Sequence, residues 1–244
     1  MGAAFACVLL GCALATPAAD ARSARCPGGM VYVESPPPPG TGYCVDKFEG
    51  SLVEVAPDGA EKPFSPYQSV DGHKVRAVTR EGVVPQAYIS RNESEAACRA
   101  SGKRLCAEDE WVRACEGRTP TTFPYGEERK AGYCNDSGVP PLATYYPGGG
   151  PDAFGPDAMN DPRLNALAGT VSPTGHHTHC RSSWGTFDMV GNVHEWIDDP
   201  AGTFLGGYYL DTHINGDGCD YKTVAHDATY HDYSTGFRCC ADAR

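Results

Sequence analysis

The chain has 244 residues, with 31 acidic against 20 basic side chains and a formal net charge of −11. That balance argues against nucleic acid and anionic membrane surfaces as partners. The length suits one good core, and no linker-like stretch divides it, so residues 22–244 read as a single domain behind a leader over 1–21.

The leader is apolar from Ala3 to Ala15 and offers an A-x-A cleavage site at Ala19-Asp20-Ala21, although Lys and Arg are missing from its start. Leu9-Leu10-Gly11-Cys12 also loosely matches a lipoprotein box with Cys12 as lipid acceptor. Secretion to the periplasm or cell surface, free or lipid-anchored, is therefore expected. No later apolar run is long enough to span a bilayer. Of twelve cysteines, Cys7 and Cys12 fall in the leader and ten remain. An even number in an exported chain reads as a disulfide framework, and the spacing lacks the C-x-x-C pairs of a zinc knuckle.

A short strand is expected at Met30–Val33, then a stiff Pro36–Pro39 turn that Cys26 and Cys44 flank and join across. Residues 51–89 carry few strong signals, and Val83–Ile89 reads as an extended lead into the first helix. Ser90 with Glu93 three residues on is a capping-box pattern; Ala96, Ala97 and Ala100 favour helix, and Gly102 stops it. A second helix is expected over about 107–115. Glu108, Asp109 and Glu110 fall in its first turn, where the macrodipole favours them, and Trp111 and Ala114 share an inward face. Residues 117–183 are Gly-, Pro-, Asn- and Asp-rich with little periodicity, read as many short turns stapled by cysteines. Phe204–Tyr209 and Gly236–Cys240 read as closing strands.

The stretch Trp184-Gly185-Thr186-Phe187-Asp188-Met189-Val190-Gly191-Asn192-Val193-His194-Glu195-Trp196 is awkward for a plain helix. Its rings want burial, while Asp188 and Glu195 want water, a cation or hydrogen-bond donors. A tight turn at Val190-Gly191-Asn192 makes an aromatic knot around oxygen ligands. Such a turn suits calcium, or it closes on itself with no ion.

This stretch resembles the signature of the sulfatase-modifying-factor family, the formylglycine-generating-enzyme type. Further motifs follow in the family's order: Gly29-Met30-Val31-Tyr32-Val33, Ser101-Gly102-Lys103-Arg104-Leu105 with Glu110-Trp111, Phe123-Pro124-Tyr125-Gly126, Gly206-Gly207 and Gly236-Phe237-Arg238-Cys239. The resemblance covers roughly residues 26–242. It implies an α+β, irregular, loop-rich variant of the C-type-lectin fold, here stabilised by disulfides.

In the family's generating enzymes, two cysteines after the Gly-Gly strand hold copper(I) and oxidise a substrate cysteine; soft thiolates suit cuprous ion. The matching positions here are Asp211 and Gly216, so copper is not expected. A shifted match puts Cys219 in the second role and leaves nothing for the first. The resemblance also implies Cys115–Cys219 and Cys98–Cys239 bridges. Cys106–Cys240 and Cys134–Cys180 are then one assignment among several for the remainder. It further implies calcium held by the Asp188 and Glu195 side chains and the Gly191 and Val193 carbonyls, with Asn135 and the Asp136 backbone kept from a second set.

His213, His226 and His231 with Asp211 offer an alternative iron or zinc centre, whereas His176, His177 and His179 sit in a Gly-Pro-flanked loop and read as solvated. No Gly-x-Ser-x-Gly elbow is present. Asn92 and Asn135 match glycosylation sequons. Three readings result: a monomeric, non-catalytic binding or structural module for a protein, peptide or carbohydrate ligand; an active oxidoreductase of the superfamily acting on a cysteine or thiol through iron or an unrecognised cysteine arrangement; and a surface binder in the C-type-lectin manner.

Overall fold

A computed structural model of the protein describes residues 1–2, 26–35 and 41–244. The expected leader with Cys12 and the Pro36–Pro39 turn lie outside the described residues.

The first sheet joins the two ends of the domain. Strands β1 (Met30–Glu34) and β2 (Gly42–Asp46) form an antiparallel pair, with Tyr32 opposite Cys44. β2 carries Tyr43, Cys44 and Val45 into the core. The next three strands, β3 (Gly50–Val55), β4 (Glu61–Pro63) and β5 (Val75–Thr79), form a separate sheet in the order β4-β3-β5. The sequence hid this sheet because β4 is exposed throughout and ion pairs such as Lys62–Glu54 lie along it, which blurs the period-2 alternation.

Helix α1 (Arg91–Ala100) starts at the expected capping box: Ser90 N donates to Glu93 Oε2 at 2.8 Å, and Glu93 N donates back to Ser90 Oγ at 3.3 Å. It buries Ala97 and Cys98, while Arg91 pairs with Glu95 and Asp198. The short strand β6 (Arg104–Leu105) leads to α2 (Glu108–Glu116), which buries Trp111, Ala114 and Cys115. Ala107 has no capping side chain. Glu110 takes the Ala107 N–H at 2.9 Å instead, and Arg104 donates to both of its oxygens at 2.6 Å.

The irregular stretch contains three short helices, α3 (Pro141–Tyr145), α4 (Pro156–Met159) and α5 (Arg163–Ala166), and a 3-10 turn over Pro151–Phe154. Proline starts three of these four turns, at the position where its missing N–H costs nothing. Strand β7 (His194–Trp196) follows, then β8 (Phe204–Leu205), β9 (Lys222–Thr223), β10 (Thr235–Phe237) and β11 (Cys239–Asp242). The expected strand to Tyr209 stops at Leu205, because Gly206 and Gly207 turn the chain with φ of 83° and 71°. The expected Gly236–Cys240 strand is two strands that part at Arg238. β10 runs parallel to β7 in the sheet β10-β7-β8-β9, and β11 enters the first sheet between β2 and β6.

Five bridges join all ten described cysteines: Cys26–Cys44, Cys98–Cys239, Cys106–Cys240, Cys115–Cys219 and Cys134–Cys180. These are the pairs expected above. Three span more than one hundred residues, where loop closure is worth about 4–5 kcal/mol each in the chain-entropy account. Among the described residues no helix is long and apolar enough to cross a membrane.

Because Ser90 supplies the α1 cap and its hydroxyl accepts the Glu93 N–H, Ser90→Ala is expected to cost about 1 kcal/mol, measured by denaturant unfolding.

Candidate functional site

The aromatic stretch folds into the turn-rich knot its composition implied. Asp188 and Asn192 both hold left-handed backbone, φ 56° and 60°, a conformation their short polar side chains tolerate. Gly191 is required between them: a Cβ there would lie 2.2 Å from the Asn135 carbonyl oxygen. That same oxygen accepts Asn192 N at 2.8 Å. The Asn192 amide is fully used. Its oxygen accepts from Asn135 Nδ2 and Ser172 N, and its nitrogen donates to Glu49 Oε2 at 2.6 Å and to the Ser172 carbonyl.

Glu195, 1% exposed, meets the fully buried Arg238. Arg238 donates from Nε at 2.9 Å and from a terminal nitrogen at 2.8 Å to its two oxygens, and Trp111 Nε1 adds a third donor at 2.6 Å. The rest of the guanidinium donates to the Asp46 and Phe187 carbonyls, both at 2.7 Å. Two more buried carboxylates crowd this pair. Burial, then repulsion from Asp188 and Glu195, drives the Glu49 carboxyl well above its ordinary value; Arg238 and the Asn192 amide pull the other way. Burial likewise lifts Asp188 to about 7, against the Gly175 N–H that it accepts at 2.6 Å and the more distant Arg238 charge. Three carboxylates thus share one guanidinium.

The residues assigned to calcium are therefore gathered, in company the sequence did not show. Their oxygen donors are of the type a hard divalent cation takes, while burial favours protons on Glu49 and Asp188 in the ion's absence. Asp188 retains free lone pairs, whereas Glu195 is largely committed to Arg238 and Trp111. Among the described residues no three His, Cys, Asp or Glu side chains are grouped as metal ligands, so an ion here would need the Gly191 and Val193 carbonyls. The Asn135 amide nitrogen donates to the Thr170 carbonyl and to Asn192 Oδ1, bonds that fix the orientation of its side chain. Asp136 pairs with Arg129 at 2.6 Å and keeps its Oδ1 buried without a partner.

The positions matching the copper cysteines are refilled by other chemistry. Asp211 accepts the His213 and Ile214 N–H groups on Oδ1 at 3.0 Å and the Tyr221 hydroxyl on Oδ2 at 2.8 Å. Burial raises its carboxyl, but these donors outweigh it and hold the group below its usual range. Gly216 has φ 114°, and a Cβ there would meet the Asp220 carbonyl oxygen at 2.5 Å. Cys219 is bridged to Cys115.

The histidines are dispersed. His213 Nδ1 lies 3.4 Å from Asp211, His226 stacks on Tyr230 at 3.8 Å, and His231 bonds Asn160 at 2.8 Å. The structure does not draw these three to one point. His194 packs among Phe204, Tyr208 and Tyr221, and burial pulls it down to about 3, so it stays neutral. His176 and His179 are exposed as expected; His177 is half-buried between Gly132 and Ser172.

Sequence reasoning missed Glu49 and Arg238 as members of this cluster. The available signal was a charge inside each apolar run, in Phe48-Glu49 and Phe237-Arg238-Cys239.

Residues 65–243 match the family model described as the sulfatase-modifying factor enzyme 1-like domain. The chain belongs to this family. Its fold is the irregular, loop-rich, disulfide-stabilised α+β domain expected from the motifs. Strands β1 and β2 precede the matched segment, yet β2 pairs with β11 inside it and β1 pairs with β2. No curated protein matches the chain. Among solved structures, the Major Tropism Determinant I1 variant is similar over 88% of this chain at 12% identity and a TM-score of 0.45. This chain spans 55% of that one. CarF is similar over 89% of this chain and 95% of its own, at 13% identity and a TM-score of 0.46.

Two outcomes are expected. Arg238→Met leaves Glu195 buried and unpaired and costs about 3–5 kcal/mol in thermal or chemical unfolding, with much of the loss recovered on adding Glu195→Gln. The second concerns pH. The folded state holds the Asp188 proton to about 7 against an ordinary value of 3.8, so its stability contribution is complete below 3.8 and lost as pH rises to about 7. In chelator-treated protein Asp188→Asn should flatten that fall in melting temperature, since Asn keeps the shape and tolerates the same φ.

Proposed function

We propose that this protein is an exported, disulfide-braced and non-catalytic member of its family, serving as a binding or structural module. The observation that carries the reading is the fate of the copper positions. Asp211 is a structural acceptor, Gly216 has no room for a side chain, and Cys219 is consumed by its bridge to Cys115. Formylglycine chemistry of the family type needs two soft thiolates at those places. Five bridges support an oxidising compartment, and with it the leader read from the sequence, either cleaved or lipidated at Cys12.

Calcium is compatible with this role as a structural ion. Asp188, Glu195 and the Gly191 and Val193 carbonyls would hold it, and its charge would favour release of the proton that burial holds on Asp188. The chain's own residues do the remaining work: Asn192 locks the turn, and Arg238 anchors Glu195.

The test is a thiol count on the unfolded mature protein before and after reduction, with copper(I) uptake and turnover of a cysteine peptide measured alongside. Ten thiols appearing only after reduction, with neither copper uptake nor turnover, is the expected result. Two readily released thiols that take up copper(I) tightly, or any turnover, would overturn the reading. Iron uptake without free thiols would move attention to His213, His226 and His231.

A further inference from the structure

A cleft of about 730 Å³ opens on the side of the molecule where the chain leaves α2, between the 118–126 segment and residues 181–183. It is in the size range of small-molecule sites. Two exposed guanidiniums line it, from Arg118 and Arg181. Neither side chain forms an ion pair with a described residue. Arg118 lies 4.1 Å above the Trp184 ring, and Arg181 lies 5.2 Å from the Phe187 ring. In a chain of net charge −11, one concavity is thus lined by two arginines that have no carboxylate partner among the described residues.

The other walls narrow the ligand. Glu116, at the end of α2, is an acidic residue lining the same cleft. Thr119 offers a hydroxyl, and the half-buried Tyr125 ring supplies an apolar wall. That ring is braced behind by Phe123 and Tyr133 at 5.7 and 4.9 Å, so it is a rigid platform. The Trp184 indole N–H beneath Arg118 is buried and has no partner among the described residues.

A bare oxyanion would satisfy the guanidiniums but offers Glu116 no donor. A neutral sugar would satisfy Glu116 and the ring but leave both guanidiniums unanswered. We infer that this cleft binds an acidic saccharide. Its carboxylate engages Arg118 and Arg181, its hydroxyls donate to Glu116, and its pyranose face lies on Tyr125. Guanidinium forks favour carboxylates for their planar, two-bonded geometry. The assignment rests on the non-catalytic binding reading and names the ligand class for it.

The full mature protein is titrated with oligogalacturonate, following tryptophan fluorescence and heat. Neutral malto-oligosaccharide and sodium sulfate serve as comparison ligands. Saturable binding of oligogalacturonate is expected, with no binding of the neutral sugar and at least tenfold weaker sulfate. Arg118→Gln and Arg181→Gln should each weaken binding by roughly tenfold, the loss of one charged hydrogen bond. Both positions are exposed, so the variants keep their melting temperature, and Lys130→Gln, outside the cleft, keeps full affinity. No saccharide binding, sulfate as tight as oligogalacturonate, or unchanged affinity in both arginine variants overturns the inference. Each of those results leaves the thiol count untouched, whereas cysteine-peptide turnover would overturn the non-catalytic reading instead.

Discussion

The interaction on which the rest of the domain depends is the buried Glu195–Arg238 pair. Arg238 sits where the last strand breaks into β10 and β11, and its guanidinium reaches β7, the end of β2 and the aromatic turn at Phe187. Glu195 reaches in turn to Trp111 of α2. One ion pair therefore ties together two sheets, a helix and an irregular loop. Taking both charges out of water is expensive, and the geometry offsets that cost only because nearly every donor and lone pair is used. The two additional carboxylates, Glu49 and Asp188, have no guanidinium of their own. Their proton affinity rises accordingly, and the centre of the molecule is left electrically uneven.

Around that centre, regular structure is sparse and covalent links are dense. Strands of two to six residues and helices of four to ten cannot by themselves hold a chain this long. The bridges do so by joining segments far apart in sequence, and the tight Asn135–Gly191–Asn192 contact joins the long irregular region to the knot. Removing the conformational freedom of the unfolded chain replaces what longer elements would supply.

Much of this was legible in the sequence where a local rule acts alone. Ser90 and Glu93 announce α1; the acids at 108–110 and the Trp111–Ala114 spacing announce α2; the even cysteine count announces the bridges. The aromatic knot was legible as a contradiction between rings and carboxylates. What the sequence concealed depends on distant partners. β4 is a strand only because β3 lies beside it, and Phe204–Tyr209 ends early because Gly206 turns under Trp111 and Gly207 against Asp211 and Thr212. Glu49 and Arg238 are separated by most of the chain, so no window of sequence contains their relation. The cleft of Arg118 and Arg181 is hidden in the same way, since its two cations come from segments that periodicity reads only as loop.

The neighbouring cysteines of β11 carry one last consequence. Successive residues of a strand face opposite sides, and Cys239 faces the core packed under α1 while Cys240 faces the core packed under α2. Cys98 waits on the first side and Cys106 on the second. A slip of a single residue as β11 docks between β2 and β6 would exchange those partners and lock the error covalently. Strand register and oxidation are thus one decision, made when β11 docks between β2 and β6. Until β11 docks, the first sheet lacks the strand between β2 and β6, and Cys98 and Cys106 can meet only cysteines that are not their final partners. Faithful maturation of this domain is a question of timing between the docking of β11 and thiol oxidation.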